Sequence, residues 1–330
     1  MNTLTFNTTV QLCLSISFYV RSSPSKFFTI NGVLACVVNG VLAVTGTLVN
    51  SLVIVAFWKS SLLRTKAPFF LIMVLSITDL AVTLFVHPTF IIAMVKQLTG
   101  TGDCVSKTIY LTATTFFPGL SGLTLSVINF ERYLAIVYPF AYQRCATKQN
   151  LFAVTVIFWL SWVPVTIIPF FAGSKLQSKL MIFYATLACV TTVFVYAKIF
   201  QIARRKRRLE PTRLILSFSS QMKSMNCLDS GDPVYSRRER AKLTEFMKDV
   251  KLAKTFILIV VCTQVCYIPN LVFQVYSYTH RGVMKTVTLL MAGPWAMTFI
   301  TLNSTLNSLI FCWKNSQLRK EILRIVKCAI

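Results

Sequence analysis

Two acids and one base stand where the sequence leaves little room for charge. Glu131-Arg132-Tyr133 closes an apolar run, Leu120 to Phe130, that carries no charge of its own. Asp79 lies deep inside another such run. Charges in or at the exit of a membrane span are costly and mark functional sites. An adjacent acid and base neutralise one another or change partners, which is the chemistry of a switch. A lone buried carboxylate must protonate or gather polar company. Bond-making catalysis finds no support. Asp79 has no second acid nearby in sequence, and His87 and His280 sit near the outer ends of their runs. Neither a catalytic dyad nor metal-ligand spacing is present, so the chain does not read as an enzyme.

The elements that must position these groups are set by composition. Of 330 residues, 55% are hydrophobic and only 13% charged, and the mean hydropathy is +0.65. A soluble domain carries about 25% charged residues. Seven apolar stretches each reach the roughly 20 residues that a spanning helix needs: about 29–57, 66–95, 106–138, 150–172, 179–202, 250–278 and 284–313. They are far longer than the ~10 residues of a barrel strand. The sequence therefore predicts an all-α membrane protein. The domain layout is an extracellular tail over 1–28, a seven-transmembrane domain over 29–313, and an amphipathic helix with the C-terminal tail over 314–330.

The net charge of +24 does not point to nucleic acid, because of where it sits. Of 34 Lys and Arg, 26 fall on one side of the seven runs and 8 on the other. The positive-inside rule places the 26 in the cytoplasm. The N-terminus is then outside and, after seven spans, the C-terminus inside. Asn7-Thr8-Thr9 is a glycosylation sequon on the outer side. Asn303-Ser304-Thr305 matches too, but it lies inside segment seven. The one long connection, about 203–249, is cytoplasmic. It opens on Arg204-Arg-Lys-Arg-Arg208, turns polar and Ser-rich, and reads as flexible with helical extensions at both ends. Its basic run suits either anionic lipid or a protein partner. No internal repeat is evident, which weighs against transporters built from paired halves. A transporter or channel with Asp79 as ion site is the alternative function, but it should show several intramembrane charges, and this chain has one deep acid. In the tail, Leu318, Ile322, Leu323, Ile325 and Val326 recur at helical spacing among basic residues, as in a helix lying on the inner leaflet. Cys328 near its end is either a palmitoylation site or a plain thiol.

With that topology in place, the motifs resemble the rhodopsin-like (class A) G-protein-coupled receptors over about 29–325. Segment one has Gly46-Thr-Leu-Val-Asn50, and segment two has Leu75-Ser-Ile-Thr-Asp79-Leu80 followed by Pro88. Segment three ends in Glu131-Arg132-Tyr133, with Ile136 and Pro139 beyond. Segment four has Trp159 and Pro164, segment five Tyr196, and segment six Cys266-Tyr267-Ile268-Pro269. Segment seven has Asn303 and Asn307-Ser308-Leu309-Ile310-Phe311. The resemblance implies a receptor in the plasma membrane that binds an extracellular ligand and activates heterotrimeric G proteins as segment six swings outward, with arrestin and a receptor kinase as further partners. Arg132 would be restrained by Glu131 and by Asp249, with Glu245 as second choice. Tyr196 would reach towards Arg132 on activation, or serve only as an interfacial aromatic. Asp79 with Asn50, Ser121, Asn303 and Asn307 would form a sodium site, or a neutral hydrogen-bonded network without an ion. Pro269 removes a backbone hydrogen bond and should kink segment six.

The chain also departs from the family pattern. Tyr267 stands where Trp is usual and Thr263 where Phe is usual. Ser308 replaces Pro, Phe311 replaces Tyr, and segment five has Ala188 near the usual Pro. The family usually ties the top of segment three to the second external loop, but that loop has no Cys here. Cys104 either pairs with Cys13 or stays free. Thr114 stands where amine receptors carry Asp, and Thr301 where opsins carry Lys. The expected pocket is Thr114, Phe117, Tyr267, Asn270, Gln274, Met297 and Thr301. Apolar with a few neutral polar groups, it suits a lipid or small neutral organic ligand better than a charged one, with a peptide also open.

Overall fold

The structure, a computed structural model, describes residues 26–172, 174–224, 258–276 and 283–329. The predicted Asn7, Cys13, Glu245 and Asp249 lie outside the described residues. Every described element is helical. In chain order these are α1 (Lys26–Lys59), α2 (Ser61–Thr65), α3 (Ala67–Ala81), a π-helical turn (Val82–Val86), α4 (His87–Leu98), α5 (Cys104–Val137), α6 (Pro139–Cys145), α7 (Lys148–Ala172) and α8 (Ser174–Ser224). Then come α9 (Leu258–Tyr276), α10 (Val283–Lys314) and α11 (Ser316–Ala329). Among the described residues, six helices are long and apolar enough to cross a membrane: α1, the α3–π–α4 unit, α5, and the parts of α7, α8 and α9 over Lys148–Ile168, Lys179–Ile202 and Leu258–Tyr276. They coincide with segments one to six of the sequence, and α10 with segment seven. The helix of segment five runs on past its apolar span to Ser224, as a helical extension at the start of the long connection.

These helices carry apolar residues on both their inward and outward faces. Val33, Val37, Val41, Val44 and Leu48 of segment one are all exposed. An outward apolar stripe of that length is what a helix against lipid requires. The inward face of segment one is built largely from small and polar residues, among them Gly32, Ala35, Asn39, Gly46, Asn50 and Ala56. Segment two is the most enclosed and supplies much of the central core, including Leu71, Ile72, Met73, Val74 and Leu75.

Local signals set the breaks. Asp103 caps segment three by accepting from the Ser106 backbone N–H at 3.0 Å. The Lys96 ammonium, 2.7 Å away, and the Ser106 hydroxyl hold the Asp103 carboxyl well below the usual carboxylate range. Gly100, at φ 73°, makes the turn between segments two and three in a conformation that favours glycine. Asn315 caps α11 by accepting from Gln317 and Leu318 N–H, both at 3.1 Å. The π turn ends just before Pro88, whose ring and missing N–H disturb the helical ladder. The sequence reading expected a proline effect in segment six. It missed this turn, and it missed Pro118 inside segment three and Pro294 inside segment seven.

Segment four is pinned to segment three by two indoles. Trp159 Nε1–H donates to Thr124 Oγ1 at 3.0 Å, and Trp162 Nε1–H donates to the Thr115 carbonyl at 3.1 Å. Gly119 makes the second contact possible, because a Cβ there would overlap the Trp162 ring. Gly119→Leu is expected to lower the thermal unfolding midpoint in detergent by several degrees, an overpacking cost of about 1–3 kcal/mol. An unchanged midpoint would show that the indole has room to move.

Candidate functional site

At the inner end of segment three, Glu131 and Arg132 are each only 1% exposed. They are adjacent in sequence, yet the side chains turn to face one another. Arg132 Nε donates to Glu131 Oε2 at 2.5 Å, and Nη2 donates to Oε1. The fork of a guanidinium matches the two oxygens of a carboxylate, which makes this a strong pair. The Tyr142 hydroxyl also donates to Glu131 Oε1 at 2.6 Å. Tyr142 lies on the short helix α6, so the connection after segment three locks the acid in place. Next to it Phe140 is 88% exposed. The sequence reading passed over both residues. Their only signal was the aromatic run Tyr138-Pro-Phe-Ala-Tyr142 beside the charge pair. Tyr133 packs instead with Ile136, Val195 and Ile199.

Tyr196 does not hydrogen-bond to Arg132 here. Its hydroxyl donates to Asn129 Oδ1 at 2.9 Å. Asn129 lies one turn above Arg132 on the same helix, so Tyr196 is held by segment three close to the charged pair.

The second polar centre surrounds Asp79, which is 0% exposed. Ser121 Oγ donates to one carboxylate oxygen at 2.5 Å and Asn307 Nδ2 to the other at 3.1 Å. The other two expected members bond elsewhere. Asn303 Oδ1 accepts from Thr263 Oγ1 at 2.8 Å. Asn50 Oδ1 accepts from Ser308 Oγ at 2.5 Å, while Asn50 Nδ2 donates to the carbonyls of Gly46 and Ser304. Thr263 and Ser308 are two of the positions that depart from the family pattern. They are polar links, tying segment six to seven and segment seven to one. Phe311 is buried in the central core beside Leu71 and Leu75. Among the described residues no ion pair involves Asp79. Its oxygens, with the Ser121 hydroxyl beside them, are hard donors of the kind that suit a small cation.

A third polar group was not foreseen. His87 is fully buried below the outer ends of segments one, two and seven. Its Nδ1 lies 2.7 Å from Asn39 Oδ1, and Asn39 Nδ2 donates to Thr298 Oγ1 at 2.8 Å. Because the Asn39 amide nitrogen is committed as donor, His87 carries its proton on Nδ1. His87 Nε2 has no hydrogen-bond partner among the described residues.

Above the charged pair lies a cavity of about 400 Å³ between segments three, four, five and six. Of the expected pocket, it takes in Thr114, Tyr267, Asn270 and Gln274. Phe117, Met297 and Thr301 lie outside it. Phe117 stacks on Phe85 with ring centroids 5.1 Å apart, and Thr301 turns its hydroxyl back onto the carbonyls of Met297 and Thr298. None of the three lines the cavity. Trp162, Met181 and Tyr184 line it in their place. The Tyr267 hydroxyl crosses to the Pro118 carbonyl at 3.2 Å, over Gly122, where a Cβ would come within 3.2 Å of it. Cys104 at the top of segment three is disulfide-bonded.

The stretch that carries Asn50, Asp79, Ser121 and the Glu131–Arg132 pair is also the stretch that other proteins share. The family model "7 transmembrane receptor (rhodopsin family)" matches residues 49–180. The octopamine receptor beta-2R of Chilo suppressalis is 23% identical over 316 residues, covering 88% of this chain and 78% of that protein. This chain is similar, over most of its length, to rhodopsin-family seven-transmembrane receptors. Similarity to two further receptors spans nearly as much of it. The cannabinoid receptor type 1B of Takifugu rubripes is 25% identical over 306 residues, 86% of this chain and 62% of that protein. The alpha-1A adrenergic receptor of Oryzias latipes is 23% identical over 318 residues, 88% and 66%. The receptor thus spans just under two thirds of the length of the latter two. The family is one of membrane receptors, not enzymes, and a transporter is not favoured.

Proposed function

We propose that this receptor binds an extracellular or membrane-derived ligand in the cavity beside segment three and activates heterotrimeric G proteins at its cytoplasmic end. One observation carries the reading. A buried, self-neutralised Glu131–Arg132 pair sits at the inner end of the same helix whose outer half walls the cavity. Ligand occupancy that favours an outward position of segment six would open the pair to a partner, a two-state element biased from a distance. Phe140, exposed beside the pair, would meet that partner. Octopamine, named for one relative, carries an amine that would need a carboxylate. Thr114 stands at the expected position and the cavity holds no acid. A neutral organic molecule or lipid fits better than an amine, and a peptide reaching in from outside would meet the same neutral lining.

The topology belongs to the same proposal. Segment seven is the last span, the N-terminus lies outside the plasma membrane, and α11 rests on the inner leaflet. Its Arg319, Lys320, Arg324 and Lys327 suit lipid phosphates. Glycosylation at Asn7, a Cys13–Cys104 bridge, palmitoylation at Cys328, restraint of Arg132 by Asp249, and arrestin and kinase binding complete it. A sodium ion held through Asp79 would supply the counter-charge that the buried carboxylate lacks.

The test uses purified receptor in nanodiscs with a panel of G-protein heterotrimers and a library of neutral lipophilic ligands, reading nucleotide exchange. Some ligand is expected to raise exchange. Gly122→Leu, which pushes into Tyr267 and the cavity, is expected to weaken that ligand's potency about tenfold or more, an overpacking cost of about 1–3 kcal/mol. No exchange with any heterotrimer, or potency indifferent to Gly122→Leu, would overturn the reading.

A further inference from the structure

The cavity is deeper than a binding site at the outer end needs to be. It is lined on segment three from Thr114 to Asn129. Fifteen residues at a rise of 1.5 Å each make its long axis about 22 Å. A volume of about 400 Å³ drawn out over that length describes a channel rather than a bowl. None of its lining residues is Asp, Glu, Lys, Arg or His.

Polar and apolar side chains are mixed along the channel, and one buried polar atom of its lining lacks a partner among the described residues. At the outer end on segment six stand Asn270 and, one turn on, Gln274. Asn270 is 7% exposed, and its Oδ1 accepts no hydrogen bond from the described residues. A buried carbonyl left without a donor is destabilising, and a donor on a ligand would recover that loss. Towards the inner end the walls are Leu125, Ser126, Thr192 and Val260, and the channel ends at Asn129. The segment five and six walls also reach the outer surface: Val190 is 61% exposed and Ile268 54%. Both would face lipid in a membrane.

We propose that this channel takes one neutral single-chain amphiphile from the bilayer, with an N–H or O–H of its head on Asn270 Oδ1 and its apolar tail running inward to Asn129. The inference rests on the receptor reading above and names the ligand class for the same cavity. A charged head would have no counter-ion there. An acyl chain would fill the length that a compact molecule leaves empty. Its far end would meet Asn129, the residue that holds the Tyr196 hydroxyl two positions before Glu131. Chain length would then set how strongly the ligand disturbs that latch.

The test measures direct binding to the full chain in phosphatidylcholine nanodiscs, without G protein. The probes are tritiated oleamide, methyl oleate and oleate, which share a chain and differ in donor and charge. Oleamide is expected to bind saturably and about tenfold tighter than the other two, the worth of one recovered hydrogen bond. Asn270→Leu, close in volume, is expected to bring oleamide down to the level of methyl oleate. Ser126→Trp, which plugs the inner half, is expected to weaken oleamide while sparing hexanamide. Equal binding of the three probes, binding no greater than to empty nanodiscs, or oleamide binding indifferent to Asn270→Leu would each overturn the proposal. Because no G protein is present, such a failure leaves the coupling role of Arg132 to be judged separately.

Discussion

Glu131→Gln is expected to raise ligand-independent nucleotide exchange at least tenfold, and Arg132→Ala to abolish agonist-driven exchange while ligand binding survives. Both follow from the burial of the pair. At 1% exposure neither charge is stabilised by water, so each depends on the other. Removing one member of a buried pair costs about 3–5 kcal/mol in the state that buries it. Gln keeps the shape and a hydrogen-bonding oxygen for Tyr142 but loses the charge that holds Arg132. The cost falls on the closed arrangement, because in an open one Arg132 faces water or a partner. Each 1.4 kcal/mol of that difference shifts the balance about tenfold towards the open state. Arg132→Ala removes the group the partner would engage and leaves Glu131 with the Tyr142 hydroxyl. Basal exchange unaltered by Glu131→Gln in well-expressed receptor would show that the pair does not restrain the switch. Full agonist responses from Arg132→Ala would remove its assigned role altogether.

Replacing Asp79 by Asn is expected to abolish a sodium effect that the native receptor shows. In native receptor, exchanging choline for sodium should weaken agonist binding about tenfold, within the 1–3 kcal/mol usual for coupling between two sites. Asp79 is completely enclosed and takes two neutral donors, Ser121 and Asn307. Two hydrogen bonds do not neutralise a buried carboxylate, so it needs a cation or a proton. A cation that binds the resting arrangement more tightly must oppose a ligand that favours the other. Asn keeps a side chain that can bond to Ser121 and Asn307 but has no charge, so agonist affinity should become the same in both salts. Asp79→Leu is a different experiment. It orphans the Ser121 and Asn307 donors, at about 1–3 kcal/mol each, and should lower the thermal midpoint where Asn does not. Native receptor indifferent to sodium would show that Asp79 works as a neutral acid.

Much of this was readable along the chain. The spans follow from apolar length, and the Glu131–Arg132 pair stood out because charge is rare in such runs. Asp79 stood out for the same reason, and Ser121 and Asn307 hydrogen-bond to it. The wiring around them was not readable. Asn303 was expected at Asp79, but Thr263 on segment six reaches it first. Ser308, an apparent defect in the relay, instead ties Asn50 to segment seven. Tyr196, expected to reach Arg132 only on activation or to serve the interface, is held here by Asn129, a contact no motif announced. Four of the seven residues expected at the pocket line the cavity, because a residue in the outer half of a span does so only if its helix is turned that way. Phe117 turns to Phe85.

The sequence by itself determined what must be buried in a membrane, what charge had to be accounted for there, and the family that carries such a pattern. Those depend on length and residue type, which are properties of the chain in one dimension. Only the tertiary structure decided which polar groups meet. A hydrogen bond between helices needs donor and acceptor within about 3 Å, and a helix turned by one residue moves a side chain 100° around its axis. The π turn in segment two and the close approach at Gly119 are adjustments of that size. The second sets segment four against segment three along the wall of the cavity.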